Sequence, residues 1–90
     1  CYRDRLFDQK VRDLNAASVI LWRKRFRTRL DMIAARYPPR IPVDLDDLAD
    51  MLSAVADGGI ILSKSLKDPR ALSRQMLLYR EFVKTVFLGT

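Results

Sequence analysis

Two apolar helical segments joined by a tight turn constrain this chain more than any other feature of its sequence. The first segment runs from about residue 44 to 66, the turn is Lys67-Asp68-Pro69, and the second segment spans 69–88. Both show the three- and four-residue spacing of apolar side chains that predicts amphipathic helices. We therefore expect a helix pair, and its apolar surface exceeds what a domain of 90 residues can cover with its own core.

The second helix of this pair is apolar around about half of its circumference. One face consists of Leu72, Met76, Tyr79, Val83, Val86 and Phe87. A second face, about 90° round the helix, consists of Ala71, Gln75, Leu78 and Phe82. A helix packed on one core needs an apolar arc of about 100°. We assign one face to the domain and the other to a partner, most simply a second copy of the chain.

Gly58 and Gly59 lie inside the first helix of the pair. Each costs about 1 kcal/mol of helix stability relative to alanine. We interpret the glycines as a place where another helix comes close, because small residues let two backbones approach each other. A kink or a helix end at this point is the alternative.

Upstream, the pattern predicts a helix over residues 1–8, a break near Asp8-Gln9-Lys10, and a long helix over 11–37. The long helix carries an apolar stripe of Val19, Trp22, Phe26, Leu30, Ile33 and Tyr37. Because the stretch from Ala16 to Trp22 is apolar almost all round, we expect it to be enclosed on more than one side, either by further helices or around a cavity.

The helix boundaries are marked by residues with known capping preferences. Pro38, Pro39 and Pro42 end the long helix and predict a stiff connector. Asp44 is a predicted N-cap, and Val43 and Leu48 have the spacing of a hydrophobic staple. Asp68 is predicted to cap the last helix, with Pro69 at its first position.

The composition excludes several kinds of chemistry. The chain has no histidine and a single cysteine, Cys1, and it has no glycine-rich loop after a strand. The aspartates from Asp44 to Asp50 lack the ligand spacing of a calcium loop, and helix capping accounts for them. We therefore expect neither an enzyme nor a bound metal or cofactor. A lone cysteine and the lack of a long apolar run favour a cytoplasmic protein rather than a membrane protein.

Charge is unevenly distributed, since residues 1–40 hold 11 Lys and Arg against 4 Asp. The basic residues from Arg23 to Arg29 surround Phe26, and such a segment could bind nucleic acid directly. Helical spacing favours the simpler interpretation, in which Trp22 and Phe26 belong to the core and the arginines face solvent. The chain opens without Met and without a cap before its first helix, so we expect additional sequence upstream of Cys1.

With these residues laid out, the chain resembles the C-terminal regulatory domain of TetR-family transcriptional regulators over residues 11–90. The resemblance rests on the proline-rich joint from Tyr37 to Pro42 and on the helix centre Ala56-Asp57-Gly58-Gly59-Ile60-Ile61-Leu62. It also rests on Asp68-Pro69 followed by Leu77-Leu78-Tyr79-Arg80-Glu81-Phe82-Val83. It is a characteristic helix layout rather than a catalytic signature.

Length and composition predict a single all-α domain over residues 1–90. The resemblance implies that its last two helices pair with those of a second subunit in a four-helix bundle. It also implies a repressor that binds a small hydrophobic effector and releases operator DNA through a separate N-terminal helix-turn-helix domain. Expected dimer-interface residues are Ala54, Gly58, Ile61, Leu62, Ser65, Gln75, Leu78 and Phe82. Expected ligand-binding residues are Phe7, Val11, Leu14, Ser18, Trp22, Met51 and Val55.

Three alternatives stay open on the sequence. The candidate ligand residues could be plain core. The chain could be a homodimerising protein-interaction module that takes no small molecule. It could also be a basic helical domain that binds nucleic acid through Arg23 to Arg29.

Overall fold

A computed structural model describes residues 2–89, which form three α-helices and no β-strand. They are α1 (Tyr2–Arg36), α2 (Leu45–Ser65) and α3 (Ala71–Leu88). The predicted all-α fold is confirmed. Cys1 lies outside the described residues.

The predicted break near Asp8-Gln9-Lys10 is wrong, because α1 runs without interruption for 35 residues. The Gln9 amide donates to the Asp13 carboxylate across one helical turn, at 2.9 Å. The break was predicted from a short run of polar residues. That run contains neither glycine nor proline, so nothing in it ends the helix. At a rise of about 1.5 Å per residue, α1 accounts for the full 53 Å length of the molecule.

The core lies where the second half of α1, the start of α2 and the end of α3 meet. Its buried residues are Leu30, Leu48, Ala49, Val86 and Phe87. Ala49 and Val86 have no exposed surface. The hydroxyl of Tyr79 donates to the carbonyl of Leu48 at 2.7 Å and joins α3 to the first turns of α2.

The first half of α1 extends away from this core. Every residue from Tyr2 to Trp22 is exposed, so Ala16 to Trp22 are not buried by residues 2–89, and their enclosure by further helices stays a prediction. The apolar pattern is real, but residues 2–89 provide no helix that covers it. The radius of gyration, 16.3 Å, exceeds the roughly 12 Å of a compact domain of this length.

The start of α2 follows the prediction. The Asp44 carboxylate accepts from the backbone N–H groups of Asp46 and Asp47 at 2.7 and 3.1 Å. Val43 packs against the same core as Leu48, as a hydrophobic staple requires. The connector that precedes α2 is held on the end of α3, where the Arg40 backbone N–H donates to the Val86 carbonyl at 2.7 Å.

The turn between α2 and α3 is built from two capping arrangements. At the end of α2, Lys67 adopts a left-handed conformation with φ of 52°. Its N–H donates to the Lys64 carbonyl at 3.4 Å, and the Asp68 N–H donates to the Ser63 carbonyl at 3.0 Å. These two bonds form a Schellman motif, which satisfies carbonyl groups that the end of a helix leaves unpaired.

The start of α3 differs from the prediction by two residues. The Asp68 carboxylate accepts from the Arg70 N–H at 3.0 Å, as a capping residue would. The Ala71 N–H, however, donates to the Asp68 carbonyl in a tighter turn, so that Arg70 is the N-cap and the regular helix begins at Ala71. Pro69 therefore lies in this turn rather than at the first position of α3. The Ser63 hydroxyl accepts from the Leu72 N–H at 3.1 Å and completes the start of the helix.

Candidate functional site

The two adjacent glycines of α2 lie in different surroundings. A Cβ atom on Gly59 would be 2.7 Å from Leu72 Cδ1 and 3.1 Å from Leu72 Cα. A Cβ atom on Gly58 would meet nothing within 4 Å. The close helix approach expected from the glycines therefore occurs at Gly59, between α2 and α3 of the same chain, and Gly58 opens onto free space.

The predicted dimer-interface residues leave much apolar surface open along α2 and α3. Ile61 and Leu78 are 62% and 63% exposed, and Leu62 and Phe82 are also exposed. Ala54 and Ser65 are exposed, whereas Gly58 and Gln75 are half-buried. Along each helix these positions recur at three- and four-residue intervals, so they form one face of α2 and one face of α3.

The predicted ligand-binding residues are only partly brought together. Ser18 and Trp22 line a groove of about 690 Å³ between α1 and α2. Met51 lies elsewhere, in a smaller groove of about 320 Å³ beside Phe82. Val55 is half-buried on α2. The remaining three, Phe7, Val11 and Leu14, are exposed on the extended first half of α1.

The groove between α1 and α2, called the α1–α2 groove below, has one apolar wall and several polar groups. Its lining residues are Asn15, Ser18, Val19, Trp22, Phe26, Ser53, Ala56 and Asp57. The rings of Trp22 and Phe26 stack with centroids 5.6 Å apart and planes inclined by 27°. From α2 the sequence predicted Met51 and Val55, and it missed Ser53, Ala56 and Asp57, although these three have the spacing of one helical face.

Ion pairs fasten α1 to α2 beside this groove. Arg23 donates to both carboxylate oxygens of Asp50 at 2.8 and 2.7 Å. Arg27 bridges Asp31 and Asp46 at 2.8 and 2.9 Å. The hydrogen bond from Arg23 is the main cause that lowers the pKa of Asp50; partial desolvation opposes it, and the charge of Arg23 adds a smaller lowering. Because all five side chains are more than a third exposed, these pairs orient the helices more than they stabilise them.

The same contacts occupy much of the basic segment from Arg23 to Arg29. Arg23 and Arg27 are neutralised by carboxylates, and the Arg25 guanidinium lies over the Trp22 ring, 4.9 Å from its centroid. Affinity for nucleic acid depends on how many phosphates the cations neutralise. The arrangement therefore favours a solvated, ion-paired helix face over a surface built for phosphates.

A third groove, of about 420 Å³, lies beside Tyr79 on α3 and is mainly apolar. Phe26 and Leu30 of α1 contribute to it, and Phe26 also lines the α1–α2 groove. Phe26 therefore packs against the core and lines both of these grooves.

Two further structural findings concern residues 2–89. They hold no group of three or more His, Cys, Asp or Glu side chains that could bind a metal ion. Among their helices, none combines the length and the apolar character that crossing a bilayer requires.

A scan against protein-family models, a search of curated proteins and a search of solved structures each find no match to this chain.

Proposed function

We propose that this chain is the effector-sensing and dimerisation domain of a TetR-like transcriptional repressor. In this proposal α2 and α3 pair with the same helices of a second copy as a four-helix bundle. A small molecule binds beside α1, and a separate helix-turn-helix domain binds operator DNA. The observation that carries the proposal is the open apolar face along α2 and α3.

The balance of buried and exposed apolar side chains supports association. Within residues 2–89, six hydrophobic residues are buried and 22 large apolar side chains are exposed. Single exposed apolar residues are ordinary, but contiguous exposed patches on two packed helices mark an interaction surface. Pairing α2 and α3 with a second copy would cover Ile61, Leu62, Leu78 and Phe82 together.

Gly58 supports a helix as the occupant of that face. Since nothing lies within 4 Å of a Cβ atom at this position, the glycine has no packing role inside the chain. Its cost of about 1 kcal/mol relative to alanine is offset if a second helix crosses close to its backbone. Helices of four-helix bundles pack in this way, about 20° from antiparallel or parallel.

The position of α2 supports a route from ligand to dimer. One side of α2 lines the α1–α2 groove through Ser53, Ala56 and Asp57, and another carries the proposed dimer face. A ligand that binds one spacing of α1 and α2 better than another would shift the direction of α1 relative to the second subunit. That movement would be passed to the DNA-binding domain and release the operator.

Sedimentation equilibrium over a wide concentration range tests the dimer. We expect the native chain to be a dimer and Gly58→Leu to weaken association by tenfold or more, about 1.4 kcal/mol. Ser73→Leu is the matched control, because it adds the same side chain on the same side of α3 as Arg80 and Lys84. A monomeric native chain, or a Gly58→Leu chain that associates as tightly, would overturn the proposal.

One alternative shares the same supporting observation. An open apolar face on α2 and α3 would equally serve a protein-interaction module that dimerises and takes no small molecule. The emission of Trp22, the single tryptophan, separates the two. A change in Trp22 emission that saturates with ligand concentration supports the sensing domain. A dimer whose Trp22 emission is unchanged by every class of small molecule supports the interaction module.

A further inference from the structure

We infer that the α1–α2 groove takes an organic cation, a molecule with an aromatic or branched apolar body and one ammonium group that pairs with Asp57. This inference rests on the proposed effector-sensing function and names the chemical class of the effector. It follows from the size of the groove, the charge of its lining and the nature of its apolar wall.

The groove has room for a small organic molecule rather than for a metal ion or a helix. Its volume of about 690 Å³ falls in the usual range of small-molecule sites, about 300–1,000 Å³. Trp22 is 45% exposed, so a large aromatic surface is available to a ligand. Val19, Phe26 and Ala56 extend this apolar surface on both helices.

The charge of the lining is opposite to that of the whole chain. The chain carries 17 Lys and Arg and a net charge of +6. No basic residue is among those that line the groove, and Asp57 is the one ionisable side chain of the lining. A carboxylate in such a position attracts a cation and repels an anionic ligand.

The Asp57 carboxylate also differs from most neighbouring carboxylates of the bundle, although Asp47 on α2 likewise has no ion pair among residues 2–89. Asp31, Asp46 and Asp50 are each paired with an arginine, and Asp44 caps α2. The side chain of Asp57 forms no ion pair or hydrogen bond with any other residue within 2–89. Asp57 is exposed, so a neutral apolar ligand in the groove would remove only part of the water from this carboxylate, without replacing the hydrogen bonds lost. An ammonium group that carries N–H donors would replace them.

The aromatic wall favours the same class of ligand. The Trp22 ring already attracts the Arg25 guanidinium, whose carbon lies 4.9 Å from the ring centroid, and Arg25 is not part of the groove lining. Ammonium groups are attracted to tryptophan faces by the same ring quadrupole. Ser18, Asn15 and Ser53 add neutral hydrogen-bonding groups that suit a primary or secondary amine.

Three probes of nearly equal size test the inference by titration against Trp22 emission and by calorimetry. They are 2-phenylethylammonium, whose three N–H groups can donate to Asp57, its uncharged carbon isostere propylbenzene, and the anion phenylacetate. We expect the cation to bind roughly three- to tenfold more tightly than the isostere, as one partly solvated ion pair with an aromatic contact provides. The anion should bind most weakly.

Asp57→Asn keeps the shape of the side chain and removes its charge. It should reduce the affinity for the cation roughly three- to tenfold and leave the affinity for the isostere unchanged. Asp4→Asn is the matched control, because it changes the net charge equally at a site about 16 Å along α1 from Asn15. It should leave both affinities unchanged.

The outcomes separate this inference from the proposed function. If the isostere binds as tightly as the cation, or if Asp57→Asn has no effect on the cation, the groove is a ligand site but not one for cations. If none of the three probes binds, both the cation site and effector sensing at this groove are overturned. The dimer measured by sedimentation is independent of either result.

Discussion

Gly59 of α2 lies so close to Leu72 of α3 that a methyl group at position 59 would be 3.1 Å from the Leu72 Cα atom. Beside it, the Leu72 N–H is bound by the Ser63 hydroxyl, one helical turn further along α2. The helix pair is therefore fastened by a backbone-to-backbone approach and a hydrogen bond next to each other. This contact sets the geometry of the face that we propose for dimerisation.

Alanine at the two glycines should have opposite effects on stability. Each substitution gains about 1 kcal/mol of helix propensity. At Gly59 the new methyl group must displace Leu72, and overpacking of this kind typically costs about 1–3 kcal/mol. At a chain concentration low enough for the monomer to predominate, urea denaturation followed by far-UV circular dichroism should therefore show Gly59→Ala to be less stable than Gly58→Ala by about 1–3 kcal/mol. Equal stabilities would mean that α2 and α3 are further apart than the structure shows.

Glycine at position 67 should stabilise the chain. Lys67 holds a left-handed conformation with φ of 52° at the end of α2, and glycine adopts this conformation without a steric cost. After the larger entropy loss of glycine on folding is deducted, we expect Lys67→Gly to gain about 0.5 kcal/mol. Lys64→Gly removes the same side chain inside the last turn of α2 and should lose about 1 kcal/mol. A loss of stability in both variants would contradict the left-handed assignment.

Removing the Ser63 hydroxyl should weaken the start of α3. Its oxygen accepts from the Leu72 N–H at 3.1 Å, and Arg70 offers no side-chain cap of its own. Loss of a capping acceptor costs about 1 kcal/mol. Ser63→Ala should therefore lower the free energy of unfolding by that amount, with faster amide hydrogen exchange at Leu72. Ser73→Ala, an exposed serine on α3, is the control and should not destabilise the chain.

The free energy of unfolding of the chain should decrease in acid. The pKa of Asp50 is lowered chiefly by the hydrogen bond from Arg23, and the pKa of Asp68 is lowered chiefly by the one from Arg74. A carboxyl whose pKa is lower in the folded state contributes stability above its unfolded pKa, about 3.9. That contribution is lost as the pH falls through the folded value.

Urea midpoints measured from neutral pH to about pH 3 check this. We expect the midpoint to be constant near neutrality and to decrease below about pH 4. Asp50→Asn and Asp68→Asn should each make the decrease shallower, whereas Asp4→Asn should not change it. A midpoint that rises on acidification would show that these ion pairs do not act as described.

The parts of the fold that were predicted correctly depend on contacts between near neighbours in the chain. The Asp44 carboxylate caps α2 by accepting hydrogen bonds from the N–H groups of the residues two and three positions further along the chain. Proline ends α1 because its ring cannot continue a helix. The wrong break near Gln9 has the same origin, since a short polar run says little once a helix continues on both sides of it.

The distinction between the two glycines required the tertiary structure. Gly58 and Gly59 are neighbours with the same helix propensity, and only the path of α3 decides that one meets Leu72 and the other meets solvent. The expected ligand residues show the same dependence. Ser18 and Trp22 come together in one groove, whereas Met51 faces another.

By itself, the sequence determined the all-α class, the amphipathic character of α2 and α3 and the start of α2. These properties follow from spacing and capping, which act over one or two helical turns. Only the tertiary structure decided which apolar faces are covered within the chain and that Asp57 joins Trp22 in the α1–α2 groove. The physical reason is that burial depends on which helices lie opposite each other, and residues far apart in the chain determine that together.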